Sequence, residues 1–258
     1  MMDTRIGRRG RLPGPRHPLI AMKIYRELAD WWPMLSAPDD YREEAEFFQQ
    51  LIEEAGGGST RTILELGSGG GNNASHLKHR YTMTLVDPSP EMLAASRALN
   101  RECAHFQGDM RSVRLGRQFD AVFIHDAIMY MTTESDLGLA IETAYSHCRA
   151  GGVALFVPDY TRETFAERTD QGGEDRDGLG LRYLEWTYDP EPYDTTYVSD
   201  FAIILREANG ATRVVHDRHV QGLFSRVQWQ ELIRRTGFDQ RLVRDPWSRV
   251  VFVANRAT

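Results

Sequence analysis

The stretch Ile63-Leu64-Glu65-Leu66-Gly67-Ser68-Gly69-Gly70-Gly71-Asn72 decides the fold. Its apolar run is too short for a helix and fits a buried strand, and the glycines that follow without a break mark a tight turn. Glycine is needed where backbone must approach a ligand closely or take angles that a side chain forbids. Gly67-x-Gly69 opens the dinucleotide pattern GxGxxG, but the sixth position is Asn72, where Gly or Ala is expected. The acid at the strand end gives instead Glu65-x-Gly67-x-Gly69-x-Gly71.

The next apolar run, Thr84-Leu85-Val86-Asp87, places an acid 22 residues after Glu65. At the tip of a neighbouring strand such an acid can take both hydroxyls of a ribose. Pro88, Ser89, Pro90 and Glu91 resemble a helix start, so Asp87 could equally serve as a cap. A third run ends Gln107-Gly108-Asp109-Met110. There Asp109 can accept from an exocyclic amine while Met110 packs on a flat base.

Strand-like runs at 62–66, 82–86, 104–107, 121–124 and 153–157 alternate with helical stretches. That alternation predicts an α/β fold, a Rossmann-like, mostly parallel sheet flanked by helices. Right-handed crossovers bring the carboxyl ends of its strands to one edge, where a site belongs. Ahead of this core the pattern is helical from 24 to 54, broken near Pro38. Behind it, 169–180 reads as a mobile loop rich in Gly, Asp and Glu. Strands at 181–188, 197–206 and 213–223 follow, the last two flanking the turn pair Asn209-Gly210, and read as an inserted antiparallel sheet after the fifth strand. Ser225 caps a helix to 235, and strands at 240–244 and 249–254 close the core. The domain reading is therefore a disordered tail at 1–21, a nucleotide-binding core with an N-terminal helical lid at 22–160, the insert at 161–224 and the closing elements at 225–258.

Of 258 residues, 41% are hydrophobic and 26% charged, which suits a globular chain with a sizeable core. A net charge of −6 gives no general attraction for phosphate backbones and argues against nucleic-acid partners. Arg5, Arg8, Arg9, Arg11 and Arg16 crowd the first segment, read as a tail or a start at Met22 in preference to an RNA-binding arm. No apolar run is long enough to span a membrane, and no secretory h-region is present. Two cysteines, Cys103 and Cys148, offer no disulfide framework, so a reducing cytoplasm is expected. Metal ligands at recognisable spacing are missing, which predicts a metal-independent protein.

The run from Thr62 to Val157 resembles the core of the Rossmann-like, class I S-adenosylmethionine (SAM)-dependent methyltransferases. Glu65-x-Gly67-x-Gly69-x-Gly71 is similar to their first motif, Asp87 to their ribose-binding acid and Gly108-Asp109-Met110 to their adenine-contacting turn. Asp120-Ala121-Val122 resembles the start of their fourth strand. Arg149-Ala150-Gly151-Gly152 resembles the turn before their fifth, with Arg-Ala where Lys-Pro is usual. The resemblance implies SAM as cofactor, Glu65 on the methionine amino group, Gly67 and Gly69 along the methionine portion, and Met92 with Pro88 closing the adenine side. Downstream, His219-Val220-Gln221, Phe224, Glu231-Leu232 and Gly237-Phe238 resemble a subgroup of small-molecule N-methyltransferases, some acting on nucleotide-linked amino sugars.

Methyl transfer needs above all an aligned nucleophile, and alignment with desolvation supplies about 7–11 kcal/mol. A hydroxyl acceptor gains from a general base, worth roughly 10²–10⁴ in rate, and a neutral amine needs little else. Phe123-Ile124-His125-Asp126 ends the fourth strand, so His125 is the base candidate with Asp126 as its orienting partner. His125 packing on the cofactor, with Asp126 starting a helix, is the alternative of equal weight. Tyr25, with Trp31 and Trp32, could lay an aromatic lid over a sulfonium. Tyr25 joins His125 and Asp126 as catalytic candidates, and Asp159, Tyr160, Trp32, Tyr183 and His219 are expected to hold the acceptor. The implied function is methyl transfer to nitrogen or oxygen of a small molecule, with a homodimer left open. An NAD-dependent oxidoreductase and a non-catalytic SAM-binding subunit are the rival readings.

Overall fold

The computed structural model of the protein describes residues 22–258, so the tail expected at 1–21 lies outside the described residues. Seven strands form the central sheet in the order β10-β11-β5-β4-β1-β2-β3. They are β1 (Thr62–Leu66), β2 (Thr82–Asp87), β3 (Ala104–Gln107), β4 (Phe119–Ile124), β5 (Cys148–Phe156), β10 (Phe238–Arg244) and β11 (Val250–Arg256). β1 to β5 pair in parallel, and only β11 runs against its neighbours β5 and β10. The order reverses at β1, with β2 on one side and β4 on the other. Such a switch point opens a crevice at the strand ends.

Alternation along the strands divides the core in two, because successive side chains point to opposite faces. Leu64, Leu66, Val122, Ile124, Ala154 and Phe156 face α5 (Glu134–His147) and α6 (Arg226–Thr236) in one buried cluster. Ile63, Leu85, Ala121, Phe123, Val153 and Leu155 face the other way, with Phe48 and Ile52 of α2 (Arg42–Ala55) and Leu77 of α3 (Asn72–Leu77). Caps fix the helix starts. The Ser89 hydroxyl accepts from Met92 N at 3.1 Å to begin α4 (Pro90–Leu99). Ser225 and Gln228 form a reciprocal capping box on α6, which Gly237 ends at φ 106°.

β6 (Arg168–Arg176), β7 (Leu179–Tyr188), β8 (Thr196–Arg206) and β9 (Thr212–Gly222) make a separate antiparallel sheet. The expected mobile loop at 169–180 is thus corrected: most of it is β6, paired with β7 along its whole length. Its polar composition suits an edge strand whose outer face meets water. The helix expected from 24 is also corrected. Residues 24–31 form turns and a short 3-10 segment, and α1 (Trp32–Leu35) is one turn long, ended at Ser36 before Pro38. Pro33 and Pro38 remove amide donors that a continuous helix would use. The segment is held by burial instead: Ile24, Leu28 and Trp31 pack with Leu181, Ile203 and Leu205 of the small sheet in a third cluster. The turn expected at Arg149 to Gly152 lies within β5, where Gly151 at φ 70° marks an irregularity in the pairing with β4.

Candidate active site

The crevice at the switch point is a cavity of ≈ 220 Å³. One wall is the glycine turn. Gly67, Gly69 and Gly71 all have positive φ, at 76°, 51° and 77°. A Cβ on Gly67 would meet Ala127 Cβ at 2.3 Å, and one on Gly71 would meet Asn100 Nδ2 and Ser96 Oγ at 2.3 Å. A Cβ on Gly70 would come 2.5 Å from Trp32 Nε1, so the lid tryptophan lies directly on the turn. The Asp87 carboxylate pins the turn from β2, accepting from Gly69 N and Ser89 N, each at 2.8 Å. Asn72 breaks the dinucleotide pattern for a visible reason: its amide donates to Ser36 O at 3.1 Å and ties α3 to the lid.

Glu65 sits at the carboxyl end of β1, only 3% exposed, and lines the cavity. Its Oε2 has no hydrogen-bond partner among the described residues. Burial pushes its pKa up to about 8, the charge of Asp87 adds to this, and His125 opposes it. A buried, partnerless carboxyl oxygen is a vacancy for a cation or donor. The group implied by the motifs fits here. Glu65 would take the methionine ammonium of SAM, Asp87 the ribose hydroxyls, and the turn gives the close backbone approach.

His125 and Asp126 end β4 on the opposite wall. His125 Nε2 stands 2.6 Å from Glu44 Oε1 and 3.0 Å from Asp126 Oδ1. Arg249 Nη1 also stands 3.1 Å from the same nitrogen. Burial alone would lower the pKa of His125, but Asp126 and Glu44 more than reverse this and lift it to about 10. Arg249, from the turn before β11, completes the cluster, donating to Glu44 Oε2 at 2.8 Å and Asp245 Oδ2 at 2.6 Å. Asp159, beyond β5, has its carboxyl pKa raised well above the usual range by burial and by the charge of Asp126.

The third wall joins lid and small sheet. Tyr25 Oη and Tyr130 Oη lie 2.8 Å apart, Tyr130 Oη is 2.8 Å from His219 Nδ1, and His219 Nε2 is 3.2 Å from Asp217 Oδ2. Asp217 also accepts from Ile24 N at 2.8 Å, so one buried chain fastens the lid to β9. Burial raises the pKa of both tyrosines above the usual phenol range.

Of the residues singled out in the sequence, Tyr25, Trp32, Glu65, Gly67, Gly69, Asp87, His125, Asp126, Asp159 and His219 line this one cavity. Met92 and Met110 are buried behind the turn, their Cε atoms 3.7 Å and 2.8 Å from Cβ positions built on Gly69 and Gly67. Asp109 is engaged by Arg111, whose Nη2 is 2.6 Å away, and Pro88 gives its carbonyl to Gln107. Tyr160 lines an adjoining cavity, and the Tyr183 ring lies over Gly172 on the neighbouring strand. Sequence reasoning missed Glu44, Tyr41, Tyr130, Glu185, Gln221 and Arg249. Gln221 stands in the quoted run His219-Val220-Gln221 but was given no role there; the others stand in no motif, and each reaches the site from a different element. Glu44 left a trace too, as an acid on α2 that its buried neighbours Ala45 and Phe48 carry toward the core.

Residues 63–152 match the family model described as a methyltransferase domain. The chain is similar to dTDP-3-amino-3,4,6-trideoxy-alpha-D-glucopyranose N,N-dimethyltransferase of Streptomyces venezuelae, 31% identical over 130 residues, 50% of this chain and 54% of that protein. It is also similar to dTDP-3-amino-3,6-dideoxy-alpha-D-glucopyranose N,N-dimethyltransferase of Streptomyces fradiae, 24% identical over 77% of each chain. The match thus spans about half the length of the first of these relatives and more of the second. In fold it resembles Streptomyces venezuelae DesVI, with a TM-score of 0.80 at 23% identity over 90% of this chain and 98% of that one. It also resembles the sugar N-methyltransferase KedS8 from Streptoalloteichus sp ATCC 53650, with a TM-score of 0.78 at 21% identity over 100% and 99%. Motifs, topology and family model agree on residues 63–152: this part of the chain is a methyltransferase domain, and its motifs fit SAM as cofactor.

Proposed function

We propose that the protein transfers a methyl group from SAM to a nitrogen of a small-molecule acceptor, chiefly by positioning. One observation carries this reading: the glycine turn with Glu65 and Asp87, and the polar groups Asp126, Asp159 and His219, line a single cavity from opposite sides. When bound, SAM supplies an electrophilic methyl on a cationic sulfur. The chain's own work is to hold that group by Glu65 and Asp87, cover it with Tyr25 and Trp32, and present the acceptor. Aromatic faces suit a sulfonium because ring quadrupoles attract cations.

Nitrogen is favoured over oxygen because Asp126 and Glu44, against Nε2 of His125, raise the pKa of this base candidate and favour its protonated form. It acts in this reading as an orienting cation for Glu44 and Asp126, not as a base for a hydroxyl. Asp126, which His125 and Arg249 keep ionised, accepts N–H hydrogens and orients the nitrogen, while the ammonium's proton leaves to solvent before attack. The names of the two Streptomyces relatives, both N,N-dimethyltransferases, support nitrogen as well. Nothing favours the oxidoreductase reading, and Asn72 is committed to Ser36 where a dinucleotide turn needs a small residue.

Titration calorimetry tests the cofactor half of the proposal. SAM and S-adenosylhomocysteine should bind with micromolar affinity, about −8 kcal/mol. Asp87→Asn, which keeps the shape but loses the charge, should weaken both by roughly 10-fold or more, given about 1.5–3 kcal/mol per hydrogen bond to a charged group. Unchanged affinity in the folded variant would sink the assignment.

A further inference from the structure

A second, open cavity of ≈ 540 Å³ adjoins the first and shares Asp159, Glu185 and Gln221 with it. The shared residues make this space the continuation of the proposed acceptor position between Asp126 and Asp159. Five acidic side chains line it, Asp40, Glu43, Glu44, Asp159 and Glu185, against two arginines; Glu44 is paired with His125 and Arg249 and Asp159 holds its proton, which leaves Asp40, Glu43 and Glu185 as the open charges. Arg249 is divided among Glu44, Asp245 and the neighbourhood of His125, and Arg168, half exposed at the rim, gives one nitrogen to Asp170. At the throat Gln221 is 9% exposed, and its Oε1 has no hydrogen-bond partner among the described residues. A buried acceptor left unpaired calls for a donor from a ligand.

Such walls suit ammonium groups and penalise phosphate. A diphosphate is ordinarily gripped by Arg, Lys or a helix N-terminus, and like charges brought together at an interface cost several kcal/mol. We infer that the acceptor carries no phosphate and bears a second ammonium besides the reacting nitrogen, as in a diaminocyclitol or a free amino sugar with two amines. The inference rests on the methyl-transfer reading and departs from the nucleotide-linked sugars named for the relatives. In it, Asp126 and Asp159 receive the reacting nitrogen, Gln221 Oε1 accepts an N–H at the throat, and Glu43, Asp40 and Glu185 hold the distal charge. The Asp159 carboxyl, facing Asp126, His125 and Arg249, keeps its proton while no cation is present. Entry of an ammonium then expels that proton to solvent.

The experiment is calorimetry on the full chain saturated with S-adenosylhomocysteine, so that no turnover intervenes. The probes are 2-deoxystreptamine, a phosphate-free diamine, and dTDP-3-amino-3,6-dideoxyglucose, a nucleotide-linked monoamine. The diamine should bind at least 10-fold more tightly, weaken several-fold between low and high salt as screening grows, and release a proton, seen as a heat that depends on the buffer. The double variant Asp40→Asn, Glu43→Gln alters two exposed side chains and should fold normally. It should weaken the diamine about 5-fold and leave S-adenosylhomocysteine binding unchanged. Equal or tighter binding of the dTDP-linked sugar, or no measurable binding of the diamine, overturns the inference. Failure of S-adenosylhomocysteine itself to bind would overturn the underlying methyl-transfer reading and this inference with it.

Discussion

Glu65 shows how one residue acquires a role from its surroundings. Its strand position makes it buried, its Oε2 lacks a partner among the described residues, and burial raises its pKa to about 8. An ammonium pairs with the ionised form, so SAM should bind more tightly as pH rises from 6 towards 8. The slope should approach one proton released per SAM, about 10-fold in affinity per pH unit at most. Glu65→Gln should flatten that profile and weaken binding at pH 8; a wild-type profile already flat from 6 to 8 would contradict the assignment. Stability of the unliganded protein runs the other way. A raised carboxyl pKa means the folded state binds more protons, so this contribution is present below about 4.5 and is lost as pH climbs through about 8. His125 behaves likewise at higher pH, contributing below its ordinary value of 6.5 and losing its contribution towards about 10.

At the level of elements, the turn between β1 and α3 is determined by packing as much as by any ligand. Gly71 stands at φ 77°, and a methyl group there would strike Asn100 Nδ2 and Ser96 Oγ of the α4 region. Gly71→Ala should therefore destabilise the unliganded protein by about 2–4 kcal/mol, the sum of left-handed strain and overpacking. Chemical denaturation would measure it; a loss below about 0.5 kcal/mol would mean the turn relaxes freely. Gly69 differs, since a Cβ there meets nothing nearer than Met92 Cε at 3.7 Å. Its glycine is required by φ 51° and by ligand approach. The repeated glycines thus answer to different demands within one motif, which sequence alone presents as equivalent.

Across the whole molecule, the lid and the small sheet depend on each other. Ile24, Leu28 and Trp31 have no helix to stabilise them and are buried against Leu181, Ile203 and Leu205. Truncating Ile203, which is 0% exposed, to alanine should cost about 2–5 kcal/mol. Because the loss falls in the lid cluster, hydrogen exchange in residues 22–32 should accelerate more than in β1 or β4. Uniform acceleration would show that the lid does not open separately. The same coupling explains why the cavity proposed for the acceptor belongs to neither sheet alone: Tyr25 comes from the N-terminal segment, Asp126 and Asp159 from the core edge, and Glu185, His219 and Gln221 from the small sheet.

The sequence by itself determined the core. Short apolar runs, a glycine turn and acids at strand tips are local signals with one economical solution, and β1, β3 and the Ser225 cap stand where their residues predict. The insert was legible as strands, though its polar edge strand read as a loop because period-2 burial fades where one face meets water. Tertiary structure alone brought together the groups that raise the pKa of His125. Nothing near Phe123-Ile124-His125 announces Glu44, 81 positions earlier, or Arg249, 124 positions later. Coulomb interactions depend on distance in space and on the exclusion of water, and a linear sequence records neither.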